Sequence, residues 1–109
     1  MVSNRVIQAI NKARDYPYIL RVGVFGSYAR DEETSNSDID ILIDYDCSSD
    51  DFIDDIGGFM EDMEHLLHDK IDYVTIPGLM KSSDEEFRHN VLNDVKWIYN
   101  TETVAFSNN

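Results

Sequence analysis

Apolar residues recur along this chain first at helical and then at strand spacing. Val6, Ile7, Ile10 and Ala13 share one helical face after Ser3. The residue before Pro17 resists helical backbone, so a first helix is predicted over residues 4 to 15. Tyr18 to Phe25, "YILRVGVF", is rich in β-branched and aromatic residues and stops at Gly26, as a mostly buried strand does. Gly26 to Arg30 reads as a turn or the start of a short helix, and Asp31 to Asn36 as a polar loop. From Asp38 to Tyr45 the sequence D-I-D-I-L-I-D-Y has the face preference of a second strand.

Between Asp50 and Asp69, Phe52, Ile56, Phe59, Met60, Met63, Leu66 and Leu67 form an apolar helical stripe suited to covering a sheet face. Gly57-Gly58 is expected to interrupt or kink that helix, or to let another helix approach. Lys70 to Ile76 reads as a third strand ended by Pro77-Gly78. Ser83 with Glu86 resembles a capping box for a helix running to about Asn93, and Val95 to Tyr99 a short final strand. The order α-β-α-β-α-β-α(-β) makes this an α/β (α+β) chain with a small mixed sheet and flanking helices. Residues 1–100 are expected to form one domain and 101–109 a loose tail, unless a partner covers Val104 and Phe106.

Composition narrows the function classes. A chain of 109 residues holds one modest core and little room for a second, substrate-handling domain. If it is an enzyme, part of its site is expected from a partner, and association with itself or another chain is left open. With 22 acidic against 9 basic residues, net charge -13, no extended nucleic-acid footprint is expected. The single cysteine, Cys47, forms no intrachain disulfide, and no apolar run suits a membrane span or signal peptide. Together these lead to an expected cytoplasmic location with no membrane partner.

The chemistry lies between Gly23 and Tyr45. Alternation along a strand puts Asp38 and Asp40 on one face, about 6.5–7 Å apart at Cα, and Ile39, Ile41 and Ile43 on the other. Two ionised carboxylates on one face repel unless a cation lies between them, and a hard divalent ion such as Mg²⁺ prefers oxygen ligands. Gly26 lets the backbone approach a phosphate, Ser27 offers a hydroxyl, and the amides opening the following turn favour an anion. A triphosphate lying across both parts would want a third carboxylate for a second ion. Asp72 is the best candidate, because a helical crossover can bring the third strand beside the second. Asp44 sits at the far end of its strand, and Asp69 precedes the next one.

Gly26-Ser27, ten intervening residues and Asp38-x-Asp40 resemble the G-S-x(10)-D-x-D signature of the DNA polymerase β-like nucleotidyltransferase superfamily. The fuller "GSYARDEETSNSDIDILID" is similar to its minimal nucleotidyltransferase branch, as are "KIDYVTI" and "NVLNDVKWIYN". The resemblance implies the nucleotidyltransferase fold and transfer of a nucleoside monophosphate from an NTP to a hydroxyl, with two Mg²⁺ ions. It implies that Asp38 and Asp40 bind both ions and that Asp72 completes the acceptor-side site. Gly26 and Ser27 would hold the β- and γ-phosphates, Ser37 of the S-D-I-D run would lie at the nucleotide, and Arg30 would contact the nucleotide or brace the loop. Members of this branch are commonly encoded beside small helical HEPN proteins and act as their antitoxins, and in characterised pairs the antitoxin adds AMP to a toxin tyrosine, so the resemblance implies a HEPN partner and ATP here.

Each feature also has a plainer structural meaning. Asp38, Asp40 and Asp72 would serve as wet-face carboxylates, Gly26-Ser27 as a simple turn, and Arg30 as a surface partner of Asp31 or Glu33. His65 and His68 lack a third ligand at telling spacing and read as a solvated helix edge. A domain of this fold that neutralises a toxin by occlusion, without catalysis, is the competing function. An acidic DNA mimic would leave the Gly-Ser and D-x-D pattern unexplained.

Overall fold

Isoleucines at alternate positions of one strand and valines on its neighbour give the two central strands of the sheet a shared apolar face. The computed structural model describes residues 2–101. It comprises α1 (Asn4–Ile10), a 3-10 turn (Asn11–Asp15), β1 (Ile19–Phe25), α2 (Gly26–Ala29), β2 (Ile39–Tyr45), α3 (Phe52–Leu66), β3 (Ile71–Thr75), α4 (Ile76–Met80), α5 (Glu85–Asp94) and β4 (Lys96–Asn100). The sheet order is β3-β2-β1-β4. β2 and β3 run parallel, and the other neighbours are antiparallel. A parallel pair needs a crossover, which α3 supplies.

Both faces of the sheet are covered. Ile39, Ile41 and Ile43 join Val22 and Val24 against Val6, Ala9 and Ile10 of α1 and Phe59 and Met63 of α3. Phe59 and Met63 are fully buried, each contributing roughly 1.5–3 kcal/mol of apolar transfer. On the opposite face Phe25 and Leu42 pack with Leu79 of α4 and Val91 of α5. Asp40 and Asp44 flank Leu42 on that second face.

The structure corrects four local expectations. Residues 4 to 15 are an α-helix that tightens into a 3-10 turn after Ile10. α3 passes through Gly57-Gly58 unbroken. Gly58 instead admits Tyr16: a Cβ there would lie 2.7 Å from Tyr16 Cε1. The Tyr16 hydroxyl donates to Asp62 Oδ2 at 2.6 Å, and its ring meets Phe59 edge-on. Pro77-Gly78 ends β3 but also opens α4, since proline's missing N–H costs nothing in a first helical turn. The cap of α5 is Asp84, accepting from Phe87 N at 2.9 Å, rather than Ser83 with Glu86.

Thr101 donates its hydroxyl to Leu20 O at 2.9 Å. The expected loose tail, with Val104 and Phe106, otherwise lies outside the described residues. No helix among the described residues is long and apolar enough to cross a membrane.

Candidate active site

The turn after β1 is fixed by its backbone. Phe25 is extended, and Gly26 then takes φ +68°, a left-handed conformation that suits glycine. A Cβ on Gly26 would collide with Asp40 Oδ2, so the turn lies directly against that carboxylate. Arg30 N donates to Gly26 O at 3.1 Å and Glu32 N to Ser27 O at 2.9 Å. Tyr28 and Ala29 are buried in the core and anchor α2, while Ser27 stays half-buried beside Gly26.

The parallel register of β2 and β3 matches Ile39 with Ile71 and Asp40 with Asp72. Residues paired in this way point to the same face, so Asp72 stands beside Asp40. Asp40 is half-buried and Asp72 exposed. Burial first, then the charges of Asp72 and Asp38, push the Asp40 carboxyl above its ordinary 3.8, with Arg30 opposing. Asp38 lies just before β2, with Oδ2 3.6 Å from Lys70 Nζ. Among the described residues, no three His, Cys, Asp or Glu side chains are gathered closely enough as they stand to hold a metal ion.

Lys70 was not singled out by sequence reasoning. Ile39 N donates to Lys70 O at 2.9 Å, which sets Lys70-Ile71-Asp72 beside Asp38-Ile39-Asp40. Aligning the two triplets in a parallel pair would have found it.

The two carboxylates passed over in the sequence are held by arginines. Asp44 accepts from Arg21 Nε at 3.1 Å and lies 3.0 Å from its Nη2, while Arg21 also covers the Trp97 ring at 4.1 Å. Asp69 accepts from Arg5 Nη1 and Nη2 at 2.6 and 2.9 Å, and this bonding holds its carboxyl below the usual range. Neither is available to a cation without breaking its pair.

Arg30 has other partners than Asp31 or Glu33. Its Nε donates to Glu32 Oε1 at 3.0 Å and its Nη1 to Asp94 Oδ2 at 2.6 Å. Asp94, at the end of α5, is 64 residues away in sequence, beyond any local pattern. Ser37 Oγ accepts from Thr34 N at 2.8 Å, so its hydroxyl is engaged within its own loop. His65 and His68 are exposed, and His65 Nε2 lies 3.9 Å from Glu61, as expected of a solvated helix edge.

Comparison with known proteins supports the family and the fold. The sequence model of the polymerase beta nucleotidyltransferase family matches residues 7–103. A candidate protein adenylyltransferase of Methanocaldococcus jannaschii is 32% identical over 78 residues, 67% of this chain and 78% of that protein. The structure of a candidate minimal nucleotidyltransferase superposes with TM-score 0.63 at 26% identity, covering 84% of this chain and 87% of the other. A chain from the complex of a tri-AMPylated Shewanella oneidensis HEPN toxin with MNT antitoxin superposes with TM-score 0.53 at 19% identity, covering 94% and 72%. The last of these attests the fold.

Proposed function

The chain belongs to the polymerase beta nucleotidyltransferase family, and on that premise we propose that it is a Mg²⁺-dependent enzyme transferring AMP from ATP to a hydroxyl of a partner protein. The observation that carries this function is the register that sets Asp72 beside Asp40, with Gly26 packed against the same carboxylate. A protein acceptor is supported by the adenylyltransferase naming of the Methanocaldococcus relative. A HEPN toxin as the partner, with this chain as its antitoxin, is supported by the AMP-bearing HEPN complex and by the motif resemblance.

The donor set fits a hard divalent cation. It consists of carboxylate oxygens on adjacent strands, and neither Asp40 nor Asp72 forms an ion pair among the described residues. Asp38 and Asp40 would hold two Mg²⁺ ions, and Asp72 would complete the one on the acceptor side. Bound there, Mg²⁺ neutralises phosphate charge and lowers the pKa of the acceptor hydroxyl.

The chain's own groups bind and orient. Gly26 and Ser27 receive the β- and γ-phosphates at a turn pinned by the burial of Tyr28 and Ala29. That placement directs the α-phosphate toward the carboxylates. The acceptor oxygen bonds to the α-phosphorus as the bond from that phosphorus to the pyrophosphate oxygen breaks. Pyrophosphate leaves, and the hydroxyl proton passes to solvent. Asp72 is exposed, which leaves the acceptor side open to a side chain delivered by another protein.

The test is incubation with α-labelled ATP and Mg²⁺, alone and with the product of the neighbouring gene. Label should appear on the partner with wild type and vanish with Asp38→Asn/Asp40→Asn. The same variant should keep or raise its Tm in chelator, because it relieves carboxylate repulsion. A tight complex in which neither chain gains label would refute transfer and favour neutralisation by occlusion.

A further inference from the structure

Arg30 lies between two acidic partners of unequal standing. Its backbone N–H closes α2 on Gly26 O, so the two residues are four apart on one helical face. Its guanidinium leaves that face toward Glu32 on one side and Asp94 on the other. The Asp94 contact is shorter, 2.6 against 3.0 Å, and Asp94 is 23% exposed where Glu32 is 59% exposed. A charge pair shielded from water holds its geometry better than one in open solvent.

The same junction grips the loop a second time. Lys96 Nζ, at the start of β4, lies 3.9 Å from Asp31 Oδ2, and Asp31 has the left-handed φ of 58°. Asp94 and Lys96 thus flank the end of α5 and both reach residues that follow α2. One end of the loop leading to Ser37 and Asp38 is thereby tied to a distant part of the chain.

From this placement we infer that Asp94 is a positioning residue for nucleotide binding: it fixes the Arg30 guanidinium on the face of α2 that carries Gly26, and an incoming phosphate replaces Glu32 as the second partner. The inference rests on the nucleotidyl-transfer function proposed above and adds a division of labour. Asp94 keeps Arg30 oriented, while Glu32 screens its charge until an anion with more oxygens arrives. Arg30 in turn holds the phosphate. A guanidinium bonded at Nη1 still has Nε, once Glu32 leaves, and Nη2 to offer in a fork.

Opposite signs at the two acids distinguish this device from ordinary bracing. Binding of a non-hydrolysable ATP analogue with Mg²⁺ would be measured by calorimetry for wild type, Asp94→Asn, Glu32→Gln, Arg30→Ala and Arg30→Ala/Asp94→Asn, beside KM and kcat for AMP transfer. Asp94→Asn should weaken the analogue and raise KM for ATP about three- to fivefold, the range of a partly shielded ion pair, with kcat moving less. Glu32→Gln should tighten binding or lower KM by up to a similar factor. The double variant should bind no more weakly than Arg30→Ala alone, because Asp94 acts through Arg30.

Weakening by both acid variants in proportion to lost Tm would assign Asp94 to structure alone and overturn the inference. So would unchanged KM and affinity in Asp94→Asn while wild type transfers AMP normally, a result that leaves the proposed function standing. A wild-type protein that neither binds the analogue nor transfers AMP would overturn both together.

Discussion

Replacing Gly26 with alanine separates the turn's structural role from its chemical one. At φ +68° an L side chain is held in the left-handed region, at a cost of about 1–2 kcal/mol. The new methyl also collides with Asp40 Oδ2, and rotating that side chain off its rotamer adds roughly 0.5–1.5 kcal/mol. Reduced freedom of the unfolded chain returns about 0.4–1 kcal/mol. The net loss is about 1–3 kcal/mol, or a Tm lower by roughly 5–20 °C for a domain of this size. Stabilities of about 5–15 kcal/mol leave such a variant almost wholly folded at room temperature. Activity should suffer more than folding, since displacing a reacting group by about 1 Å costs on the order of 100-fold. Urea unfolding and AMP-transfer rate would be measured on one preparation. Lost stability with transfer within about threefold of wild type would refute the placement of Asp40 at the reacting centre, and unchanged stability would refute the strained turn itself.

Two further outcomes follow from the packing. Gly57→Ala meets nothing within 4 Å and should stabilise α3 by about 0.5–1 kcal/mol in urea unfolding, whereas Gly58→Ala should destabilise because its methyl meets the Tyr16 ring; equal shifts would contradict the close approach. Tyr16 is pushed from 10.0 up to about 12, chiefly by its hydrogen bond to Asp62, and Tyr73 up to about 12, chiefly by burial with Glu64 nearby. The folded state keeps these protons longer than the unfolded state, so the stability they contribute is complete below pH 10 and lost as pH rises from 10 through 12. Tyr16→Phe/Tyr73→Phe should therefore flatten the fall of Tm over that interval, and an unaltered slope would refute the assignment.

Elements whose identity depends on local periodicity were legible in the sequence; those that depend on distant partners were not. β1, β2 and β3 end within a residue or two of their expected limits, because Gly26, the D-I-D alternation and Pro77-Gly78 mark them locally. The unbroken α3 was hidden because Gly58 answers to Tyr16, 42 positions earlier in the chain, and not to its own helix. α4 was missed because Pro77 stops a strand and opens a helix with the same missing N–H. At the site, Gly26 and the Asp38-Asp40 pair could be read from spacing, and Asp72 from the crossover that a parallel strand requires. Asp94 carried no such mark, since its contact with Arg30 exists only once α5 has packed beside α2.

The distribution of cations explains why an acidic chain concentrates unbalanced charge where it does. Nine basic residues cannot pair 22 acidic ones, so the placement of each pair matters. Arg5 holds Asp69, Arg21 holds Asp44, and Arg30 holds Asp94 and Glu32. These pairs tie α1 to the approach of β3, β1 to β2, and the turn after β1 to α5. None of them pairs with Asp40 or Asp72 among the described residues, although the Arg30 charge offsets part of the repulsion at Asp40. Lys70 reaches only Asp38, from an exposed position at 3.6 Å, where a divalent cation competes with it easily. On the proposed function the remaining repulsion at Asp40 would be relieved by a bound cation, and the fold tolerates it because Asp38 and Asp40 are only half-buried while Asp72 remains in water. On the function proposed above, the same arrangement that sets these carboxylates against one another would favour a cation and its triphosphate beside the turn.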